Sequence, residues 1–168
     1  MATQYAGYMG NVMMVDLTEK TVRQYPWTDT DRELYLGGKI MAARILYTHL
    51  TGREKPFSEE NWVVISTGPL TGTGAPSSSR FNISALSPQT GILASSNCGG
   101  SFGFHLKKAG YDALILTGKC DGHTWLEIAD GEFRFHSADD LWGMEVSACF
   151  QALAQRTEKK KFGKLCIG

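Results

Sequence analysis

Two segments of the sequence are nearly free of bulky side chains, and each adjoins an apolar run typical of a β-strand. The first, residues 67–80, is TGPLTGTGAPSSSR, and the second, residues 96–103, is SNCGGSFG. Glycine lets the backbone approach a ligand closely, and free backbone N–H groups can then bind anionic oxygens. A single arginine, Arg80, closes the first loop and suits bidentate recognition of a phosphate or a pterin-like group. The two loops predict a large, polar, phosphate-bearing ligand.

The remaining sequence predicts an α+β fold, because strands outnumber helices and no regular βαβ repeat is visible. An Asp130-Gly131 pair between two alternating runs is a strong hairpin signal, and the Thr18-Glu19-Lys20 turn predicts a hairpin between the first two strands. Helices are predicted after Thr28, over 39–49, over 101–109 and from about Val146. Strands are predicted over residues 7–17, 21–25, 62–67, 80–87, 92–96, 113–117, 124–129, 132–136 and 162–167.

Two of these elements carry specific predictions about burial. In the 39–49 helix, Ile40, Ala43 and Tyr47 lie on one apolar face. In the 80–87 strand, alternation predicts half-burial. One side of this strand carries Phe81, Ile83 and Ala85, and the other side carries Asn82, Ser84 and Leu86.

Charge and hydropathy exclude several classes of function. Seventeen basic residues balance seventeen acidic ones, so nothing favours nucleic acid or an anionic membrane surface as a partner. The one like-charge run, around residues 158–161, is typical of a solvated helix end or turn. No apolar run approaches the roughly 20 residues that span a bilayer, and residues 1–10 lack the features of a secretory signal. We therefore expect a cytoplasmic protein.

The cysteines favour no metal site. Cys98, Cys120, Cys149 and Cys166 are scattered without a CxxC spacing. In a cytosolic protein such cysteines are by default reduced thiols. Neither a zinc site nor an iron–sulfur site follows from their spacing.

The first glycine loop is not a nucleotide-binding fingerprint. Gly72-Thr73-Gly74 would need a third glycine three residues later and a following helix, but Ser77 stands there and a strand follows. A Walker loop is excluded because no Gly-Lys-Ser/Thr sequence follows. For Arg80, a surface or salt-bridged arginine is the alternative to a ligand contact, and the absence of other charge in the loop favours the ligand.

The second loop allows three interpretations. Asn97-Cys98-Gly99-Gly100 is predicted to open a helix, and a helix N-terminus with glycines is a natural anion site. Asn97 could equally be a plain N-cap. Cys98 at a helix start could act as a nucleophile with a lowered pKa, although no histidine stands in a recognisable family signature.

With these segments in place, the sequence resembles the N-terminal domain of the aldehyde ferredoxin oxidoreductase family. Members of this family are tungsten enzymes with a bis-pterin cofactor and one 4Fe-4S cluster. The resemblance runs from Gly7 to Gly168 and rests on many motifs in the same order. These are Gly10-Asn11-Val12, Val15-Asp16-Leu17-Thr18, Tyr35-Leu36-Gly37-Gly38-Lys39, Ser66-Thr67-Gly68-Pro69-Leu70-Thr71-Gly72-Thr73, Ala75-Pro76, Arg80, Asn97-Cys98-Gly99-Gly100, Leu106-Lys107, Ala109-Gly110-Tyr111-Asp112 and Leu141-Trp142-Gly143.

The resemblance implies a β-rich base that cradles the two pterins of a tungsten, or molybdenum, cofactor. It implies that Arg80 contacts pterin and lies between it and the cluster. It implies that Asn97 and Gly99 contact the pterin phosphate region. The backbone carbonyl of Asn97 would be associated with a magnesium ion that bridges the two pterin phosphates. In the complete enzyme, aldehydes or related small molecules would be the substrates and ferredoxin the electron partner.

The sequence also departs from the family. Family members are several times longer, and none of the four cysteines matches a cluster ligand. We therefore expect residues 1–168 to be a partial N-terminal domain that lacks the cluster-binding and remaining cofactor-binding domains and is inactive alone. The alternatives are a non-catalytic remnant, or a scaffold subunit completed by a separate chain. Exposed surfaces would then favour a homo-oligomer or a complementing subunit.

Overall fold

The computed structural model describes residues 3–157 and 161–167, which form eight β-strands and four α-helices. Most of the predicted elements are present with shifts of a few residues at their ends. The strands are β1 (Val12–Asp16), β2 (Thr21–Gln24), β3 (Val63–Thr67), β4 (Phe81–Leu86), β5 (Leu93–Cys98), β6 (Ala113–Thr117), β7 (Thr124–Ala129) and β8 (Glu132–Ser137). The helices are α1 (Asp29–Tyr35), α2 (Gly38–His49), α3 (Phe102–Lys108) and α4 (Val146–Gln155).

Six strands form one mixed sheet in the order β2-β1-β6-β3-β4-β5, and β7 pairs with β8 in a separate hairpin. Only the β1–β6 pair of the described sheet is parallel. Both hairpins predicted from local turn signals, β1–β2 and β7–β8, are confirmed. The α+β class is confirmed as well, since the four helices do not alternate regularly with the strands.

The large sheet is covered on both faces. Consecutive residues of β3 show this, because Val64 belongs to the cluster beneath α2 whereas Ile65 belongs to the cluster on the opposite face. Helix α2 supplies Met41, Ile45 and other buried side chains to the first cluster. On the second face, Leu106 of α3 packs with residues of the β7–β8 hairpin.

The apolar residues that the sequence placed on one face of α2 are not the ones that pack against the sheet. Ile40 and Tyr47 are 54% and 81% exposed, whereas Met41, Ala42, Ile45 and Leu46 are almost completely buried. Both sets recur at helical spacing, so periodicity alone did not distinguish them. The sheet selects the second set because it presents four apolar side chains on adjacent turns.

The predicted half-burial of β4 is also wrong. Its polar side is buried, with Asn82 and Ser84 only 2% and 1% exposed. The Asn82 amide nitrogen donates to Ser95 Oγ at 2.7 Å, and Ser84 Oγ donates to Asn82 Oδ1 at 2.7 Å. These hydrogen bonds compensate the loss of water around the polar groups.

Two further predictions change at the ends of elements. Asn97 and Cys98 lie in β5, and α3 begins only after Ser101, so Asn97 does not cap a helix. Residues 162–167 run past α3 without forming a strand. Of the predicted charge run, residues 158–160 lie outside the described residues. In the described part of the chain, no helix has the length and apolar character needed to cross a bilayer.

Candidate functional site

The first glycine loop forms one side of a cleft at an end of the large sheet. Strands β3 and β4 are antiparallel neighbours, with Thr67 opposite Phe81, so residues 68–80 leave and re-enter the sheet at one point. Gly72 and Gly74 adopt φ values of +80° and +92°, which glycine tolerates more easily than other residues. The loop therefore folds back on itself instead of extending into solvent.

Hydroxyl groups within the loop hold its shape. Thr71 is 3% exposed, and its Oγ1 accepts from the Gly68 amide at 3.3 Å and donates to the Arg80 carbonyl at 3.1 Å. This hydroxyl ties the two ends of the loop together. Ser78 Oγ lies within hydrogen-bond distance of the carbonyls of Leu70, at 2.9 Å, and Ala75, at 2.7 Å.

The cleft beside this loop has a volume of about 420 Å³, within the usual range for small-molecule sites. Arg80 is the one ionisable side chain among the described residues that line it. The lining consists of Gly38, Ser66, Gly68, Pro69, Leu70, Thr71, Pro76, Ser77, Ser78, Arg80, Phe81, Asn82 and Asn97.

The start of α2 forms another wall of the cleft. Its N-cap residue is Gly37, which has no side chain to bond the first amides of the helix, and Gly38 lines the cleft. A Cβ atom on Gly37 would lie 2.6 Å from the Thr67 carbonyl oxygen, so only glycine fits against the end of β3. Ser66 Oγ donates to the Gly38 carbonyl at 2.9 Å and fixes the helix to the sheet.

Arg80 and Asn97 meet at the mouth of the cleft. The Arg80 Nη1 group donates to Asn97 Oδ1 at 2.6 Å, and both residues are exposed. Asn97 reaches this position because it lies opposite Asn82 in the β4–β5 pairing. No other side-chain partner of the Arg80 guanidinium lies within residues 3–157 and 161–167. The remaining guanidinium N–H groups are therefore able to donate to a ligand.

Gly99 does not join the other two predicted site residues in the cleft. It is exposed just beyond the end of β5, and a Cβ atom at this position would meet nothing within 4 Å. The second glycine loop is thus shorter than predicted, because its first three residues belong to the edge strand. Cys98 is exposed in that strand, so a nucleophile at a helix start is wrong.

A buried ion pair behind the first loop is not evident from the sequence. Lys107 Nζ contacts Asp112 Oδ1 at 2.6 Å, with both side chains 4% exposed. Asp112 also accepts hydrogen bonds from the amides of Met9 and Gly10. The Lys107 stem lies directly behind Gly72, where an added Cβ would come within 3.0 Å of it. The pair therefore joins the N-terminal segment to the back of the loop.

The aromatic ring of Tyr8 completes this buried region. Lys107 Nζ and the Arg32 guanidinium lie 5.4 Å and 5.8 Å from the ring centroid. Burial, with a contribution from the Asp112 carboxylate, raises the pKa of Tyr8 above its usual value. The sequence signals for this region were the Leu106-Lys107 and Ala109-Gly110-Tyr111-Asp112 motifs, which do not reveal that Lys107 pairs with Asp112.

The described residues contain no group of three or more histidine, cysteine, aspartate or glutamate side chains arranged to hold a metal ion. Cys98 is exposed, Cys120 and Cys166 are partly buried, and Cys149 is buried. The oxygen atoms nearest the cleft are those of hydroxyls, amides and the backbone. Such a set suits hydrogen bonding to an organic ligand better than direct ligation of a transition metal.

Comparison with known proteins gives a consistent result. Residues 12–168 match the family model described as aldehyde ferredoxin oxidoreductase, N-terminal domain. A tungsten-containing aldehyde ferredoxin oxidoreductase from Pyrococcus abyssi is 36% identical over 162 residues, which cover 96% of this chain and 27% of the relative. The WOR-like subunit of an aliphatic sulfonate oxidoreductase from Pyrococcus furiosus is 30% identical, over 91% of this chain and 25% of the relative.

A solved structure is similar over most of the chain. It is the active site complex BamBC of benzoyl coenzyme A reductase with 1,5 dienoyl-CoA, with a TM-score of 0.87 and 33% identity. The match covers 90% of this chain and 23% of the other. The chain thus spans about a quarter of the length of the curated relatives that it matches, with 27% covered in the Pyrococcus abyssi protein.

Proposed function

Since the chain belongs to the aldehyde ferredoxin oxidoreductase family of tungsten enzymes, through their N-terminal domain, we propose that its cleft binds the pterin part of a tungsten cofactor. One observation carries this proposal. A single arginine, Arg80, stands at the mouth of a glycine-bounded cleft, and Asn97 holds it there at 2.6 Å. A fixed cation with free donors in an otherwise uncharged cleft suits an anionic, planar, hydrogen-bonding ligand.

The residues present fit such a group. The cleft of about 420 Å³ offers the hydroxyl of Ser77 and the uncapped start of α2, both of which can donate hydrogen bonds. The Arg80 guanidinium supplies positive charge and donors in one plane, and Asn97 orients it. When bound, the tungsten centre would supply the redox chemistry, while this chain binds and orients the organic part.

Asn97 and Gly99 are proposed to serve the phosphate end of the cofactor. Strand β5 is an edge of the six-stranded sheet, so alternate backbone groups along it face away from β4. The Asn97 carbonyl is proposed to associate with a magnesium ion that bridges the pterin phosphates. The Gly99 amide, exposed just beyond the strand, is proposed to contact the same phosphates.

The activity of a complete enzyme is a further part of the proposal. We infer oxidation of aldehydes or a reaction at a related oxo group, with ferredoxin as electron partner and a cytoplasmic location. Molybdenum is the alternative metal. Residues 1–168 would form the partial pterin-cradling N-terminal domain. A 4Fe-4S cluster is proposed to take its cysteine ligands from polypeptide outside these residues.

A second candidate function is a scaffold subunit that a separate chain completes. Two printed descriptions favour considering it: one relative is described as a WOR-like subunit, and the similar solved structure is described as an active site complex. Co-expression with the remaining part of a relative, followed by affinity purification, distinguishes the two. Stable co-purification with tungsten supports completion by a separate chain.

The leading proposal is tested in a chimera, in which this chain replaces the matching segment of the Pyrococcus abyssi relative. The chimera is produced anaerobically with tungstate, and tungsten content, pterin content and aldehyde-dependent dye reduction are measured. Arg80→Lys keeps the charge but loses the planar donor set, so cofactor content should fall. Asn97→Ala should act more weakly, because the guanidinium and the backbone carbonyl remain.

Arg53→Lys is the matched control, since Arg53 is exposed and does not line the cleft. It should retain the cofactor content and activity of the parent chimera. Full cofactor content and activity in Arg80→Lys would contradict the role proposed for Arg80. A parent chimera that folds without pterin would instead support a non-catalytic remnant.

A further inference from the structure

Two cysteines distant in sequence meet outside the cleft. Cys149 lies in α4 and is 7% exposed, whereas Cys166 lies in segment 162–167, which forms neither helix nor strand. Both belong to one apolar cluster with Ala138, Leu141 and Trp125. Burial, with a smaller contribution from the neighbouring Cys149 thiol, raises the pKa of Cys166. The two residues therefore pack in one cluster and line the same cavity.

A cavity gives small solutes access to this pair. It has a volume of about 390 Å³ and is lined by Cys149, Cys166 and apolar side chains that include Trp142 and Ile167. Trp142 and Ile167 are 60% and 79% exposed, so the cavity opens to solvent between them. A molecule the size of hydrogen peroxide can reach the sulfur atoms, whereas a folded protein cannot.

We propose that Cys149 and Cys166 are a modification site at which a peroxide forms a reversible intramolecular disulfide. The Cys166 thiolate, which is less buried, attacks one peroxide oxygen and becomes a sulfenic acid as the O–O bond breaks and water leaves. The Cys149 sulfur then displaces the sulfenic hydroxyl as a second water, and the S–S bond forms. Two thiols lose two electrons and two protons, and one hydrogen peroxide becomes two waters.

The disulfide would fasten segment 162–167 to α4. The bond would join two cysteines that are 17 positions apart in the sequence. A covalent link of about this length restricts the unfolded chain, and should raise the Tm of a protein of this size by about 5–10 °C. The raised pKa of Cys166 leaves little thiolate at neutral pH, so the reaction should be slow.

The other cysteines provide an internal comparison. Cys98 is exposed in β5, and Cys120 Sγ donates to the Leu17 carbonyl at 3.4 Å. An exposed single thiol such as Cys98 can reach a disulfide only with a second molecule. The chain is therefore expected to show two separable reactions: dimerisation through Cys98 and internal closure between Cys149 and Cys166.

The test uses the full 168-residue chain carrying Cys98→Ser and Cys120→Ser, which removes the competing thiols. The protein is treated with hydrogen peroxide, alkylated with N-ethylmaleimide, digested with trypsin and analysed by mass spectrometry. The expected product links the tryptic peptides 135–156 and 165–168, is monomeric, and is reversed by dithiothreitol. Its Tm should exceed that of the reduced protein.

Two further variants, Cys149→Ser and Cys166→Ser in the same background, should give no linked peptides and no increase in Tm. Using both keeps the test decisive if one of them folds poorly. The proposal is overturned if both thiols are still alkylated after prolonged oxidation. It is also overturned if they advance to sulfinic acids without cross-linking, or if the disulfide forms between molecules.

Discussion

The buried ion pair behind the cleft allows a quantitative prediction about stability. Replacing Lys107 by methionine keeps most of the side-chain volume and removes the charge. The substitution breaks the 2.6 Å contact with Asp112 and the 2.6 Å hydrogen bond from Nζ to the Gly7 carbonyl. The Asp112 carboxylate remains buried, but the amides of Met9 and Gly10 still donate to it.

The magnitude follows from what each substitution leaves behind. Removing one partner of a buried ion pair costs about 3–5 kcal/mol. Lys107→Met should fall near the lower end, at about 3 kcal/mol, because two amides still stabilise the carboxylate. Asp112→Leu should cost about 5 kcal/mol, because it leaves a buried ammonium group and two unsatisfied amides. The double variant should cost less than the sum, since no uncompensated charge remains.

Urea denaturation is monitored by circular dichroism for the parent chain, the two single variants and the double variant. Lys108→Met is the matched control: Lys108 is exposed on the same helix, so its replacement should change the free energy of unfolding by less than about 0.5 kcal/mol. A cost for Lys107→Met as small as that of the control would refute the reasoning. Strict additivity in the double variant would do the same.

Two further predictions concern the backbone around the cleft and an exposed turn. Gly37→Ala should lower the free energy of unfolding by about 1–3 kcal/mol because the new Cβ overlaps the Thr67 carbonyl. Gly99→Ala should be near neutral in the same denaturation assay, because a Cβ at Gly99 meets nothing within 4 Å. Hydrogen bonds from Thr51 and neighbouring amides lower the pKa of Glu54 from 4.5 to about 2. The parent chain should thus be more stable than Glu54→Gln above pH 4.5, and this difference in free energy of unfolding should disappear as the pH falls to about 2. A constant difference across that pH range would contradict the prediction.

Local signals in the sequence were enough to predict most elements of the fold. The β7–β8 hairpin follows from its Asp130-Gly131 turn, and the β1–β2 hairpin from a similarly short connection. Arg80 lines the cleft together with residues of the first glycine loop, as expected for an arginine that closes that loop. Each of these depends on residues that are close in the sequence.

The incorrect predictions depend on distant partners. Asn82 and Ser84 are polar and alternate with apolar residues, so only the neighbouring Ser95 and Ser96 explain their burial. The missed ion pair differs, because Lys107 lies in the last turn of α3 and Asp112 follows only five residues later, beyond the helix, where helical spacing does not pair them. Asn97 could be placed in β5 only once its register against β4 was known.

The central claim is that the cleft between residues 68–80, the start of α2 and Asn97 receives the pterin. A crystal structure of the tungsten-loaded chimera measures this most directly. We expect pterin density in the cleft with the Arg80 guanidinium within hydrogen-bond distance of the cofactor, and with Asn97 adjoining the phosphates. Pterin bound at another surface of this chain, or a loaded enzyme in which Arg80 makes no contact with the cofactor, would contradict the claim.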